Sequence, residues 1–391
     1  MYNVCQVAPI MARNLGRIFC SFIGGMHISS HTCMYRQLTA GQSNLRGFEG
    51  YTRSRSLDSK QGKKGKTPGK TRRDQIKVLI DCDAGVDDAE GIAVALTTPN
   101  VEVVGITCVN GNTNVENVCR NVLTLLTYYG KEREVPVFKG CTKPIINSEK
   151  KSDKLHGNDG FGDVDDLIKP DMSLLKPEHA VNAIVEIVNK HPGQISLITV
   201  GPLTNIAMAM RMDPELPEKL KDLTIMGGSL YGKGNFTLSS EFNFGMDPEA
   251  AHIVLNAITK PATLITFDLC MENPLSKDMS WYEKRQAIET KKAKFMTDIT
   301  GFLVKALRKK FHCEEDCAYV SCDALAIVAR LCDKVVKETK DFYAVIELNG
   351  KWTRGDMVID WERSSKNKPN IRVVKKVNIE VVGRKMLESV E

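Results

Sequence analysis

The chain has 391 residues, 42% of them apolar and 26% charged, enough to bury the core of one large domain or of two smaller ones. Its formal charge of +6 is unevenly placed: residues 1–73 hold 13 Lys and Arg against Glu49 and Asp58, which leaves the remaining 318 residues at −5. A mildly acidic body argues against nucleic-acid binding by the folded part, and no run approaches the roughly 20 apolar residues needed to span a bilayer.

Residues 1–73 read as a basic, disordered leader, because the run from Ser59 to Arg73 has almost no apolar residues. Arg13 and Arg17 beside Ile18, Phe19, Phe22 and Ile23 give its start the composition of a mitochondrial transit peptide, and equally of a plain extension on a cytoplasmic protein. Ser21 and Gly24 interrupt the apolar patch, which argues against a secretory signal. The folded domain is expected over residues 74–391. Twelve cysteines are scattered along the chain, with Cys82, Cys108 and Cys119 in apolar elements, so reduced thiols in an intracellular protein are expected. His312, Cys313, Cys317 and Cys322 do not follow the spacing of a zinc site.

The first element of the folded part carries the most chemistry. Val78 to Ile80 read as a buried strand and Gly85 as a turn; Asp87 and Asp88 open an amphipathic helix through Ala89, Ile92, Ala93, Val94 and Leu96. Asp81, Asp83, Asp87 and Asp88 therefore gather at the carboxyl end of a strand, where open α/β sheets bind ligands. Carboxylates this close raise one another's pKa unless a hard cation or a polyol compensates them, and Ca²⁺ and Mg²⁺ take such oxygen donors. A solvated acidic turn is the bland alternative. A calcium hand fits poorly, since the twelfth position from Asp81 is Ile92 where a bidentate Glu is needed. An Asp-x-Asp phosphatase start matches locally, with Asp81 as nucleophile and Asp83 as acid.

A strand over Val101 to Val109 leads into VNGNTN, whose Asn110, Asn112 and Asn114 suit hydroxyl recognition or, equally, a turn capping the helix from Val115 to Tyr129. LHGNDGFGD, from Leu155 to Asp163, reads as a Gly-rich lid holding His156, Asn158, Asp159 and Asp163. Beside an acidic site the imidazolium form of His156 would be favoured. The strand from Ile195 to Val200 ends in Gly201-Pro202 before a helix from Leu203 to Met212, leaving the Val200 carbonyl as a candidate cation ligand. Strands at Leu223 to Met226 and Ala262 to Phe267 flank a helix from Pro248 to Ile258. Between them lie Asn235, Glu241 and Asn243; the last two share a face if that stretch is extended. Trp281 to Lys310 reads as one long basic amphipathic helix, and Phe342 to Val382 as β-rich. Asp323 opens an apolar helix, either as its N-cap or as a remote carboxylate completing a cation site with Asp83 and Asp88. The alternation of strands and helices implies a single large α/β domain with a doubly wound, mostly parallel, Rossmann-like sheet and C-terminal α/β additions.

In order and spacing, DCDAGVDD, NGN, HGNDGFGD, TVGPLTNIA, GN-x-T-x3-EFNF-x2-DPEAA and the late Cys322-Asp323 resemble the inosine-uridine-preferring nucleoside hydrolases over about residues 76–385. The resemblance demotes the phosphatase reading, whose later Lys and paired-acid motifs have no counterpart. It implies a Ca²⁺ enzyme that hydrolyses the N-glycosidic bond of ribonucleosides, usually as a dimer or tetramer. By position it implies Asp83, Asp88, the Val200 carbonyl and Asp323 as Ca²⁺ ligands and Asp83 as general base. It further implies Asp87, Asn112, Asn235, Glu241 and Asn243 as ribose contacts, and His156 as a loop histidine near the base. Cys322 stands where the best-known members have a histidine that protonates the leaving base. A thiol is mostly protonated at neutral pH and can donate. A catalytically silent nucleoside or ribose binder, or a hydrolase of another ribosyl compound such as a nicotinamide riboside, is the alternative.

Overall fold

The computed structural model describes residues 75–146, 154–311 and 317–391. The leader, His312 and Cys313 lie outside the described residues. Among the described residues eleven strands follow in chain order: β1 (Ile76–Cys82), β2 (Val101–Cys108), β3 (Val137–Lys139), β4 (Leu175–Lys176), β5 (Ile195–Thr199), β6 (Asp222–Met226), β7 (Ala262–Ile265), β8 (Val336–Phe342), β9 (Ala344–Ile346), β10 (Met357–Ile359) and β11 (Ile371–Val377). The helices are α1 (Val86–Thr97), α2 (Val115–Tyr128), α3 (Ala180–Lys190), α4 (Thr204–Met212), α5 (Leu216–Lys219), α6 (Phe242–Met246), α7 (Pro248–Ala257), α8 (Phe267–Glu272), α9 (Ser280–Gln286), α10 (Lys291–Phe311), α11 (Cys322–Leu331) and α12 (Ile379–Glu388).

Nine strands form one sheet in the order β4-β3-β2-β1-β5-β6-β7-β11-β8. All neighbours pair in parallel except β8, which runs antiparallel to β11 at the edge. The central strands are apolar because both faces are covered, as parallel sheets require. One core layer packs α1, α2, α10, α11 and α12 on one face; the other packs α3, α4 and α7 on the opposite face. Strand order reverses between β1 and β5, which pair from Lys77↔Ile195 to Asp81↔Thr199. Such a reversal opens a crevice at the carboxyl ends of the two strands, and ligands bind there.

Three expectations change. The stretch from Trp281 to Lys310 is two helices, not one: α10 restarts at Lys291 because Thr290 Oγ1 caps it, accepting the Ala293 N–H at 3.0 Å. The β-rich tail ends in a helix, α12, whose Val381, Val382 and Met386 are buried. Among the described residues seven cysteines are free thiols, Cys82, Cys108 and Cys119 included. Cys317 departs from the expected reduced state, being disulfide-bonded. Among the described residues no helix is long and apolar enough to cross a membrane.

Candidate active site

Strand β1 is buried, so it delivers Asp81 and Asp83 into the interior at its carboxyl end, and the first turn of α1 adds Asp87 and Asp88. Asp81 is held by β2 and α4. Its Oδ2 accepts from Thr107 Oγ1 at 2.6 Å and Asn205 Nδ2 at 2.8 Å, and burial raises its pKa to about 7. Asp83 Oδ2 accepts the Asn112 N–H at 2.7 Å. Gly111 makes that approach possible, since a Cβ there would lie 2.0 Å from Asp83 Oδ2. Asp88 Oδ2 accepts the Gly85 N–H at 2.8 Å.

The second oxygens of Asp83 and Asp88 are buried and have no hydrogen-bond partner among the described residues. Unpaired buried carboxylates are costly, and proteins answer that cost by protonation or by a cation. The pKa values point the same way. Burial first, then the charges of Asp87 and Asp81, push Asp83 up to about 8. Asp88 is raised well above the ordinary carboxylate range by burial and by Asp83 and Asp87. Asp323, in the first turn of α11, is raised in the same way by burial and by Asp87, Asp88 and Asp83. Oxygens of Asp87, Asp88 and Asp323 lie within 4.8 Å of one another. The donor set, all oxygens and mostly carboxylates, fits a hard divalent cation.

Asp323 is not the N-cap of α11; Ser321 holds that position and Asp323 faces Asp88. Asp87 is the solvent-side member of the group, 3.9 Å from His156 Nε2. His156 Nδ1 accepts the Val86 N–H at 3.2 Å, which places the ring hydrogen on Nε2. Asn112 reaches the same spot: a Cβ on Gly85 would lie 2.7 Å from Asn112 Nδ2 and 3.0 Å from His156 Nδ1. Asn114 takes the capping role, accepting the Asn117 N–H at 2.9 Å.

The stretch holding Glu241 and Asn243 is helical rather than extended. Glu241 is the N-cap of α6, and its two oxygens accept the N–H groups of Gly228, Asn243 and Phe244 at 2.8, 2.9 and 3.2 Å. Asn243 Nδ2 donates to the carbonyls of Val200 and Met226, both at 3.1 Å. A carbonyl has two lone pairs, so that of Val200 keeps one for a further partner. Asn235 is exposed on the loop before α6, and among the described residues no contact joins it to the aspartates. Cys322 is hydrogen-bonded to the Cys270 thiol. That bond, burial and the charges of Asp87 and Glu241 hold it well above the usual thiol range, so it stays protonated.

The fold and this site define an α/β protein with a carboxylate cluster at the switch point of a parallel sheet. Residues 78–383 match the model of the inosine-uridine preferring nucleoside hydrolases. The inosine-uridine preferring nucleoside hydrolase of Leishmania major is 36% identical over 287 residues, covering 73% of this chain and 88% of that one. The enzyme of the same name from Crithidia fasciculata is 32% identical over 316 residues, 81% and 97% of the two chains. The solved structure of an inosine-guanosine nucleoside hydrolase matches with a TM-score of 0.74 at 29% identity, covering 81% of this chain and 98% of that one. The chain belongs to the inosine-uridine preferring nucleoside hydrolase family and is an enzyme of the nucleoside hydrolase class.

Proposed function

We propose that the protein is a Ca²⁺-dependent hydrolase that cleaves the N-glycosidic bond of ribonucleosides to free base and ribose, in nucleoside salvage. The observation that carries the metal reading is the pair of buried, unpartnered oxygens on Asp83 and Asp88 beside Asp323. Asp83, Asp88, Asp323 and the Val200 carbonyl would hold the ion. Ca²⁺, when bound, supplies positive charge that orients a water and ribose hydroxyls and lowers the pKa of that water.

The residues of the chain account for the remaining steps. Asp83 keeps one oxygen uncommitted and acts as general base on the attacking water. Departure of the base leaves an oxocarbenium-like ribosyl group, whose positive charge the carboxylate cluster stabilises. Asp87, Asn112 and Asn235 would hold ribose hydroxyls. Glu241 would join them beside the backbone N–H groups it already accepts. Asn243 would join them through its amide oxygen, its Nδ2 being engaged with the Val200 and Met226 carbonyls. The Cys322 thiol and the His156 Nε2–H are the candidate donors to the leaving base. The folded unit is residues 74–391, and a homodimer or tetramer is the proposed assembly.

The test is ribose release from inosine, uridine, adenosine, guanosine, cytidine and xanthosine, with Ca²⁺ and with a chelator. Chelator-sensitive release establishes the hydrolase and its base preference. Ca²⁺-dependent thermal stabilisation by nucleoside without ribose release would instead identify a silent binder. Asp83→Asn should abolish turnover and leave the protein folded; near-normal turnover would refute Asp83 as base.

A further inference from the structure

We propose that Asn121, on the buried side of α2, is a positioning residue: it sets His156 against Asp87 by tying the aspartate turn to the histidine loop. The inference rests on the hydrolase reading of the site. Asn121 is only 5% exposed, and its Nδ2 donates to two main-chain carbonyls from separate segments, Ala84 at 3.2 Å and Asp159 at 2.8 Å. Ala84 follows Asp83 directly and has φ +36°, a conformation L-residues rarely adopt. Asp159 belongs to the loop that carries His156. An amide suits this task because two carbonyls need two N–H donors on one atom, which neither an acid nor a hydroxyl supplies.

The surroundings make the tie rigid. Thr113 Oγ1 donates to the Asn158 carbonyl at 3.0 Å and is itself held by Asn117 Nδ2 at 3.0 Å. The loop closes on its own acids: Asp159 Oδ1 accepts the N–H groups of Phe161 and Asp163 at 2.7 and 3.0 Å. Asp163 Oδ1 accepts those of Asn158 and Asp159 at 2.7 and 3.1 Å. Phe161 is buried and meets Phe295 of α10 edge-on, ring centroids 6.0 Å apart. The loop is therefore a prefolded clasp on α2. Asn121 fixes where that clasp stands relative to the turn, and so sets the 3.9 Å between His156 Nε2 and Asp87 Oδ1.

The test is a double-mutant cycle in the full chain, with Asn121→Ala, His156→Ala and the double variant, read by kcat and KM and by amide hydrogen exchange. Asn121→Ala is expected to lower kcat about tenfold, and less than about twofold once His156 is already alanine. Faster exchange should be confined to residues 83–88 and 156–163. Losses that multiply in the double variant would overturn the proposal, because a merely structural role acts independently of His156. Unchanged exchange in both segments would overturn it as well. That second readout needs no substrate, so an inactive wild type, which sinks the hydrolase reading, is distinguishable from a failed tie. Should Asn121→Ala not fold, Asn121→Ser keeps one donor and carries the same cycle with the same outcomes.

Discussion

Gly91 lies inside α1, where helix propensity alone makes alanine better by about 0.8–1 kcal/mol. The packing says the opposite. A Cβ at this position would lie 2.6 Å from Ile327 Cδ1, 3.0 Å from Ala324 Cα and 3.2 Å from Ala324 N. The Ile327 methyl can swing away; the main chain of α11 cannot. Carbon atoms settle at about 3.5–4.0 Å, so relief requires α11 to retreat by roughly half an ångström. Ala324 adjoins Asp323 and Gly91 lies one turn beyond Asp88, so the retreat separates those two carboxylates. Overpacking of this kind costs about 1–3 kcal/mol, and subtracting the propensity gain leaves a net loss of up to about 2 kcal/mol. Ca²⁺ affinity should fall about tenfold, which corresponds to about 1.4 kcal/mol of coordination free energy. Calorimetric Ca²⁺ titration and thermal melting of Gly91→Ala beside wild type, each with and without chelator, read both quantities. A variant that melts above wild type and binds Ca²⁺ equally well would refute the claim that this helix contact sets the site.

Arg285 is 1% exposed, bonded to Glu90 and to Thr300 Oγ1, and enclosed by the rings of Trp281, Tyr282 and Tyr319 at 5.2, 5.0 and 5.5 Å. Arg285→Met should cost about 3–5 kcal/mol in urea unfolding by stranding Glu90, and a second change, Glu90→Gln, should restore most of it; a single-variant loss below about 1 kcal/mol contradicts this. The metal-free protein should lose stability as pH rises. Asp83 and Asp81 titrate at about 8 and 7 when folded against an ordinary 3.8, so between about pH 4 and 8 the folded state holds protons that the unfolded state has released. Unfolding at a series of pH values should show that decline, flattened by Ca²⁺; a rise over the same window would show that the carboxylates are not buried together as described. Cys322→Ser should slow inosine turnover more than that of an activated p-nitrophenyl riboside, and equal losses on both would remove the thiol from leaving-group chemistry.

The doubly wound sheet was legible because strands covered on both faces are continuous apolar runs, and β1, β2 and β5 are written that way. Strand β8 was not legible: VKETKDF is charged through its middle, Lys337 to Lys340 are exposed, and it pairs with β11 alone at the sheet edge. The two-helix form of 280–311 turned on Thr290, a capping residue within an otherwise continuous amphipathic pattern. In the site, the four aspartates could be gathered from local spacing, whereas the place of Asp323 depends on α11 packing against α1, a contact no local pattern encodes. Asn121 carried a faint signal, a polar side chain among apolar neighbours on the inner face of α2. Glu241 and Asn243 show a deeper limit. A carboxylate or amide meets a ribose hydroxyl and a main-chain group by the same chemistry, so residue type cannot tell a ligand from a cap. The difference lies in which lone pairs and hydrogens are already engaged. At Glu241 three N–H groups are in place, and at Asn243 the amide nitrogen serves two carbonyls, one of them Val200, while the amide oxygen is left over. Both residues therefore have a structural part beside any ligand contact: Glu241 starts α6 and holds Gly228, and Asn243 ties α6 to the Val200 carbonyl at the end of β5.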